Sequence, residues 1–393
     1  MASYDTRLHA DISRLTRDNV YAKSKNIMVK KQNGLFVLKY NKYGLNTENI
    51  STLGLFRSII TDGNSLLAFS PPKSIEFEEF KGKFKKGNCI TEEFIEGTMI
   101  NCFFYNNEWM IATRWDIGAQ SSFYQDLDIT FRDMFIDAMN ACNLTFNMLN
   151  KKYSYSFVLQ HPKNRIVVPF TKPHLFLVST YEMKQQWCAQ EILCAESIRE
   201  SKVSIPMQYE NTDKLSWDEI IYPYSSINTP YTVVGIMIKH PTGVRSKIRN
   251  PNYEKVRHLK GNAPKIQFQY YNLHQCGRVK EFLQYYPEYN QIFWKFRSEL
   301  TRWTKELYTF YKNVHIKKEA DYKTIPYTFR PHVAALHKIY CFDLRPEKKY
   351  VDKQTVIQYV NNLPPQRLMY SINYPLRQKE KDDVKAREVE NIM

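Results

Sequence analysis

Residues 90–114 contain two apolar runs that are each interrupted by a turn signal. They read Ile90-Thr91-Glu92-Glu93-Phe94-Ile95-Glu96-Gly97-Thr98-Met99-Ile100, and shortly after Phe103-Phe104-Tyr105-Asn106-Asn107-Glu108-Trp109-Met110-Ile111-Ala112-Thr113-Arg114. Asn106-Asn107 is typical of a hairpin turn, because asparagine tolerates a positive φ. We therefore predict that the second run forms a strand, a turn and a strand.

The same alternation of short apolar runs and turn signals continues from Gly34 to about Tyr181 and returns at Tyr231–Ile238. It predicts a β-rich domain over residues 25–255, preceded by an N-terminal extension over residues 1–24. Other segments within this domain follow different patterns. We predict strands over 155–159, 165–168 and 175–179, helices over 131–139 and 184–201, and a connector over 213–226.

Beyond residue 255 the pattern changes to a helical one. Apolar side chains recur every three or four residues, which places them on one face of a long helix, at Tyr289, Phe293, Phe296, Leu300, Trp303, Leu307, Phe310 and Val314. We predict a helical C-terminal domain over residues 256–376 with this stripe as its core, followed by a charged tail over residues 377–393. The fold class is thus α+β.

The composition favours an intracellular protein that contacts a polyanion. The formal net charge is +16 over 393 residues, which attracts nucleic acids. The seven cysteines show no Cys-x-x-Cys spacing, which favours a reducing compartment and argues against a structural zinc site. We find no apolar signal segment and no run of about 18 apolar residues, so we expect a cytoplasmic protein without a membrane contact.

Five motifs occur in an order that is known from one enzyme superfamily. Besides residues 90–100 they are Leu55–Ile60 with Phe69–Ser74, Phe157–Val167, Val234–Ile238 and Lys247-Ile248-Arg249. Over residues 34–260 the chain resembles the covalent nucleotidyltransferases, closest to RNA ligases of the phage RNA ligase 1 type and to ligase-like proteins of large eukaryotic DNA viruses. The resemblance implies an ATP-grasp-like ligase adenylation domain, and it extends the expected location to a viral factory or a virion.

The resemblance also implies that the catalytic chemistry is lost. Phe94 occupies the place of the lysine that attacks ATP, and a phenyl ring is not a nucleophile. Val158 and Val234 occupy the places of two glutamates, of which one supports a divalent metal ion. We therefore expect no catalytic residue, no metal site and no cofactor, and a partly filled, apolar pocket. Lys247 and Arg249 match the family's last lysine motif, whose side chains hold the α-phosphate.

The hypothesis that follows is a catalytically degenerate protein that binds RNA or another polyanion through a basic groove. Nine lysines and arginines lie between Val244 and Lys280, with interleaved aromatic residues that are candidates for stacking on bases: Tyr253, Phe268, Tyr270 and Tyr271. The predicted contacts are Arg57, Arg114, Lys247 and Arg249, joined by Arg245, Arg257 and Lys260.

Two other hypotheses remain open. In the first the protein is an active RNA ligase that uses ATP and Mg²⁺ and a relocated lysine, either Lys31, within the Lys-x-x-Gly match Lys31–Gly34, or Lys39. In the second it is a structural or assembly subunit of a viral complex, with a protein as its partner.

Overall fold

The computed structural model describes residues 2–123, 129–184, 187–192, 198–210, 214–379 and 381–382. The chain divides into two compact units, Met1–Leu259 and Lys260–Met393. The first unit contains the sheets and the second contains helices, so the fold is α+β as predicted. The predicted boundary at residue 255 and the division at residue 259 fall within the same helix.

The strands of the first unit form three antiparallel sheets. The six-stranded sheet has the order β1-β11-β10-β9-β7-β8, the four-stranded sheet β2-β3-β4-β5 and the three-stranded sheet β13-β12-β6. Their bounds are β1 Ser3–Asp5, β2 Ile27–Gln32, β3 Leu35–Tyr40, β4 Ile59–Thr61, β5 Leu66–Phe69, β6 Ile90–Glu93, β7 Thr98–Tyr105, β8 Glu108–Ala112, β9 Tyr153–Gln160, β10 His174–Lys184, β11 Cys188–Ile192, β12 Gly235–Lys239 and β13 Arg245–Arg249.

Helices occur in both units of the described chain. Those that begin in the first unit are α1 Ile12–Leu15, α2 Asn19–Ser24, α3 Phe77–Lys83, α4 Phe131–Ala141, α5 Trp217–Ser225 and α6 Pro251–Lys260. Those of the second unit are α7 Ile266–Gln275, α8 Val279–Tyr285, α9 Asn290–Tyr311, α10 Arg330–Ile339, α11 Lys353–Asn361 and α12 Pro365–Ile372. Thus the segment 213–226, expected to be a connector, contains α5.

Side chains along β9 alternate between the two faces of the six-stranded sheet. Tyr155, Phe157 and Leu159 point to one face and join a core cluster with α4. The N-terminus of α4 is fixed by a capping box between Thr130 and Asp133. On the opposite face of β9, Ser156 is buried and donates from Oγ to Oδ1 of Asn101 at 2.9 Å.

The first 24 residues belong to this unit. Strand β1 pairs with β11 at the edge of the six-stranded sheet. Tyr4 is buried and stacks on Phe69, with 5.1 Å between the ring centroids. Ile12 and Leu15 are buried in the same cluster. The predicted extension therefore supplies both a strand and part of the core.

The hairpin predicted at Asn106-Asn107 is confirmed, since β7 and β8 are joined there and both asparagines have a positive φ. The helix predicted over residues 184–201 is wrong. Lys184 ends β10, and Cys188–Ile192 forms β11, which pairs back onto β10. Residues 185–186 and 193–197, with Cys194, lie outside the described residues.

The strand predicted over residues 165–168 is also wrong. The backbone N–H groups of Val167 and Val168 both donate to Oε1 of Glu96, each at 3.0 Å. A carboxylate from another segment thus satisfies the donors that a neighbouring strand would otherwise satisfy, so this β-branched run forms a bend instead. The strand expected from Tyr231 begins at Gly235.

In the second unit the apolar stripe of α9 is confirmed as a core. Phe293, Phe296, Leu300, Trp303 and Leu307 are buried along one face of the helix. The tail predicted from residue 377 is helical at residues 377–379 and 381–382, and the rest of it lies outside the described residues. Within the described ranges, no helix combines the length and the apolar character needed to cross a membrane.

Candidate nucleic-acid interface

The turn between β6 and β7 connects the three-stranded sheet to the six-stranded one. Its Glu96 is buried and holds the backbone of residues 167 and 168, as described above. Gly97 has a φ of 152°, and a Cβ atom there would lie 2.4 Å from the carbonyl oxygen of Leu159. Only glycine fits this close approach between two strands, which explains the Glu-Gly pair in physical terms.

The three-stranded sheet brings two of the three substituted positions together. Ile236 lies opposite Glu93, and Gly235 lies opposite Arg249. Phe94, which follows Glu93, and Val234, which precedes Gly235, are therefore at the same end of this sheet. The guanidinium carbon of Arg249 lies 5.6 Å from the ring centroid of Phe94, a cation–π contact.

The third substituted position lies on the six-stranded sheet. Val158 is buried on β9, next to the Glu-Gly turn, and its Cγ1 would be 2.6 Å from a Cβ atom at position 97. Val234 is buried as well, whereas Phe94 is half-buried beneath Arg249. These three apolar residues are the ones that the sequence resemblance aligns with the nucleophile and the carboxylates of active ligases.

Strand β13 carries three cations on one face. Arg245, Lys247 and Arg249 alternate with Ser246 and Ile248, so the period of two directs all three to the same side. Ser246 points the other way, is buried, and donates from Oγ to the carbonyl oxygen of Ile75 at 3.0 Å. The alternation therefore decides which side of the strand is basic.

The segment Phe69–Ser74 crosses this basic face and fixes two arginines. Arg245 donates from Nε to the carbonyl oxygen of Pro72 at 2.8 Å, and Arg57 donates from Nη1 to that of Pro71 at 3.3 Å. Lys73 follows the two prolines, and its Nζ donates to the carbonyl oxygen of Ser74 at 2.8 Å. The segment thus adds Arg57 and Lys73 to the cations of β13.

These five residues, Arg57, Lys73, Arg245, Lys247 and Arg249, are called the basic cluster below. Burial and the charges of Arg249, Lys73, Arg57 and Arg245 lower the pKa of Lys247 to about 8. The four charges that lower the pKa of Lys247 come from the other members of the cluster. Burial, and then Arg245 and Arg114, lower the pKa of Arg57 to about 9, so that it stays protonated at neutral pH.

Lys73 was absent from the predicted contacts, although the sequence signal was present. It follows Pro71-Pro72 in the segment Phe69–Ser74, which is one of the motifs that carry the resemblance to the ligases. Burial lowers the pKa of its ammonium, an effect that the nearby Glu76 opposes. The motif alone could not show that Lys73 lies close to Lys247, because the two residues are far apart in the sequence.

Arg114 lies beside the cluster. Its Nε donates to the carbonyl oxygen of Arg57 at 3.1 Å, and its guanidinium carbon lies 5.1 Å from the ring centroid of Tyr40. Arg257 differs, because it forms an ion pair with Glu254 at 3.2 Å. Glu254 also pairs with Arg249 at 2.8 Å, so one carboxylate partly neutralises this end of the cluster.

The last predicted contact, Lys260, belongs to the second unit. It is buried, and its Nζ lies 5.3 Å from the ring centroid of Tyr286. Three of the aromatic residues expected to stack on bases, Tyr253, Tyr270 and Tyr271, are also buried. That expectation is therefore wrong for these three, because their side chains lie on the buried faces of α6 and α7.

The relocated lysines lie on the four-stranded sheet, not on the sheet that carries Phe94. Lys31–Gly34 spans the end of β2 and the turn to β3, in which Asn33 and Gly34 both have a positive φ. The Nζ of Lys39 lies 4.3 Å from a ring centroid of Trp115. The Lys-x-x-Gly match thus has a structural explanation as a hairpin turn.

A divalent metal ion does not fit the substituted positions. Valine has no side-chain oxygen with which to coordinate a hard cation, and Val158 and Val234 are the residues that the sequence resemblance aligns with glutamates of the ligases. Among the described residues, no group of three His, Cys, Asp or Glu side chains could hold a metal ion. The donor set at the basic cluster suits an anion instead.

Comparison with known proteins gives distant relatives. No protein-family model matches the chain. It is 23% identical over 234 residues to the immediate-early protein ICP-46 homolog of Invertebrate iridescent virus 3. The aligned region covers 56% of this chain and 49% of that protein. It is also 29% identical over 94 residues to the RNA ligase of Rhodothermus phage RM378, or 22% of this chain and 21% of that one. The chain is similar to RNA ligases.

Among solved structures, an archaeal ATP-dependent RNA ligase is 12% identical with a TM-score of 0.41, covering 94% of this chain and 78% of its own. A Naegleria gruberi RNA ligase is 12% identical with a TM-score of 0.36, covering 48% and 57%. The predicted resemblance to RNA ligases and to proteins of large DNA viruses is confirmed by the sequence relatives. The chain spans about half the length of the iridovirus relatives that it matches, 49–59%.

Proposed function

We propose that this protein is a catalytically degenerate relative of RNA ligases that binds RNA through the basic cluster. One observation carries the proposal: Lys247 is half-buried, and Arg249, Lys73, Arg57 and Arg245 lie close enough for their charges to lower its pKa. Gathering five like charges costs free energy. Glu254, which pairs with Arg249, offsets this cost at one end of the cluster, and a bound anion would offset the rest. Phosphate groups of RNA are anions of the right size, and arginine and lysine are their usual partners.

The loss of catalysis rests on the three apolar substitutions. Phe94 has no amine with which to attack the α-phosphate of ATP, and the valines at 158 and 234 provide no carboxylate for a sugar or a metal ion. The guanidinium of Arg249 lies over the Phe94 ring, where a covalent lysine adduct would stand in active relatives. We accordingly propose that the protein needs neither ATP nor Mg²⁺.

Salt dependence tests the proposed binding. Labelled single-stranded RNA should bind the full chain at low salt, and the logarithm of the affinity should fall by about 0.7 per phosphate contact for each unit of log salt concentration. Fluorescence anisotropy at several salt concentrations measures this slope. Binding that cannot be detected at low salt, or that does not respond to salt, would overturn the proposal and favour the assembly-subunit hypothesis. Copurification of a stable protein partner without nucleic acid would support that alternative.

RNA binding should weaken as the pH rises through about 8, the pKa of Lys247 in the free protein. A bound phosphate favours the charged ammonium and raises its pKa, so above pH 8 binding must take up a proton. The expected loss between pH 7 and pH 9 is about tenfold, since one pKa unit corresponds to a tenfold change. Anisotropy with oligoadenylate, whose bases do not titrate in this range, measures it at fixed ionic strength.

The matched control for this experiment is Lys247→Arg. Arginine at position 247 keeps its proton throughout the range, so the variant should lose only about twofold in affinity between pH 7 and pH 9, the part expected from Arg57, whose pKa is about 9. If the wild type and Lys247→Arg lose affinity equally, some other group titrates and Lys247 does not contact the RNA. A cytoplasmic location, in a viral factory or a virion, is part of the same proposal.

A further inference from the structure

Helix α9 of the second unit has an exposed face opposite its buried stripe. The side chains on this face recur every three or four residues over four turns and line a shallow furrow: Trp294, Arg297, Ser298, Thr301, Arg302, Lys305 and Thr309, with Glu306 and Phe310 at its edge. All of them come from one helix, so the furrow is open along its length. It accordingly suits a long, narrow ligand rather than a compact one.

The charge of this face is positive and is not neutralised within the unit. Arg297, Arg302 and Lys305 are exposed, and Glu306 is the acid that borders them. Across the described ranges, none of these three cations takes part in an ion pair, whereas Arg278 of the same unit pairs with Glu281 at 2.8 Å. Three free cations in a row along a helix favour a ligand that repeats its negative charge.

Trp294 stands at one end of the row. Its side chain is 71% exposed, although tryptophan is among the side chains that gain most from burial. An exposed indole beside arginines offers a flat surface on which a base can stack. From Trp294 to Lys305 the helix rises about 16 Å at 1.5 Å per residue, which corresponds to roughly five stacked nucleotides at 3.4 Å each.

We propose that the exposed face of α9 is a second RNA-binding surface, on which a base stacks on Trp294 and phosphates contact Arg297, Arg302 and Lys305. The choice of RNA as the ligand rests on the proposed function, but the residues are separate from the basic cluster. Ser298, Thr301 and Thr309 supply hydroxyl donors for further phosphate oxygens. A membrane surface fits less well, because Trp294 stands on this face without a continuous apolar stripe beside it.

Photo-crosslinking separates this surface from the basic cluster. Single-stranded RNA that contains 4-thiouridine is irradiated with the full chain, and the crosslinked peptides are identified by mass spectrometry. Wild-type protein should give crosslinks in the peptide that contains Trp294. Arg302→Ala with Lys305→Ala should reduce these crosslinks about tenfold, at roughly 1.4 kcal/mol for each factor of ten, and lower the salt slope by about 1.4 for two lost contacts.

The matched control is Lys338→Ala with Lys353→Ala, which removes two exposed cations of the same unit from other helices. This variant should keep the Trp294 crosslinks. If wild-type protein crosslinks only through peptides of the first unit, the α9 surface is refuted while the proposed function stands. If no peptide crosslinks at any position, both are refuted. If the α9 variant and its control lose Trp294 crosslinks equally, the loss reflects the lower net charge of the protein, and the α9 surface is refuted as well.

Discussion

Replacing Lys247 and Arg249 together with alanine is expected to weaken the binding of single-stranded RNA roughly 100-fold at low salt. A hydrogen bond to a charged group contributes about 1.5 kcal/mol or more, and two such contacts give about 3 kcal/mol. Both side chains project from the same face of β13 as Arg245. The salt slope should fall by about 1.4 because two phosphate contacts with a single strand are lost.

The control for this variant is Lys151→Ala with Lys152→Ala. Both lysines are exposed in the turn before β9, and their removal changes the net charge by the same amount. The control should lose affinity less than about threefold, an effect of long-range charge alone. An equal loss in the two double variants would mean that RNA responds to total charge and not to the basic cluster. Preference among RNA sequences should not change, because phosphates carry no sequence information.

Replacing Gly235 with alanine is expected to destabilise the first unit by about 4 kcal/mol. The backbone of Gly235 has a φ of 138°, and a Cβ atom would lie 2.0 Å from the carbonyl oxygen of Ile248 and 2.8 Å from Cα of Arg249. Both atoms belong to the backbone of β13, so neither can move without displacing the strand. The substitution therefore strains the sheet that carries Phe94 and Arg249.

Hydrogen–deuterium exchange in the full chain measures this loss locally. Amides of β12 and β13 should exchange about 1000-fold faster in Gly235→Ala, since each 1.4 kcal/mol corresponds to a factor of ten. Gly82→Ala is the control: this helical glycine has no neighbouring atom within 4 Å of a built Cβ. Alanine there should leave exchange in β12 unchanged and stabilise α3 slightly. If the amides of Gly235→Ala exchange as slowly as those of the wild type, β13 moves to accommodate the added methyl group and the prediction is wrong.

Much of the fold could be predicted because its signals are local. Asn106-Asn107 specified a hairpin through the backbone freedom of asparagine, and the stripe from Phe293 to Leu307 specified a buried helix face through its spacing. The failures arose where distant groups decide the outcome. Residues 165–168 are rich in β-branched side chains, but the carboxylate of Glu96 takes their N–H donors, and this contact spans 71 positions of sequence.

Individual residues of the candidate site could be predicted from the sequence, whereas the contacts that bring them together could not. The motifs identified Arg57, Lys247 and Arg249, and the substitutions at Phe94, Val158 and Val234 were visible by comparison with the family's pattern. The role of the segment Phe69–Ser74 was not visible. Its proline carbonyls accept hydrogen bonds from Arg57 and Arg245, and it brings Lys73 to the cluster. Lys260 was predicted as a contact only because it is positively charged. No local sequence pattern indicates that it is buried against Tyr286.

The loss of catalysis is tested most directly by incubating the protein with radiolabelled ATP and Mg²⁺ or Mn²⁺ and searching for a covalent adduct. We predict no labelled protein, either for the wild type or for Phe94→Lys, because the new amine would lie beneath Arg249 and would lack the carboxylate partners that valines at 158 and 234 cannot supply. An acid-labile adduct in the wild type that maps to Lys31 or Lys39 and disappears when that lysine is replaced by alanine would contradict the account and establish an active enzyme.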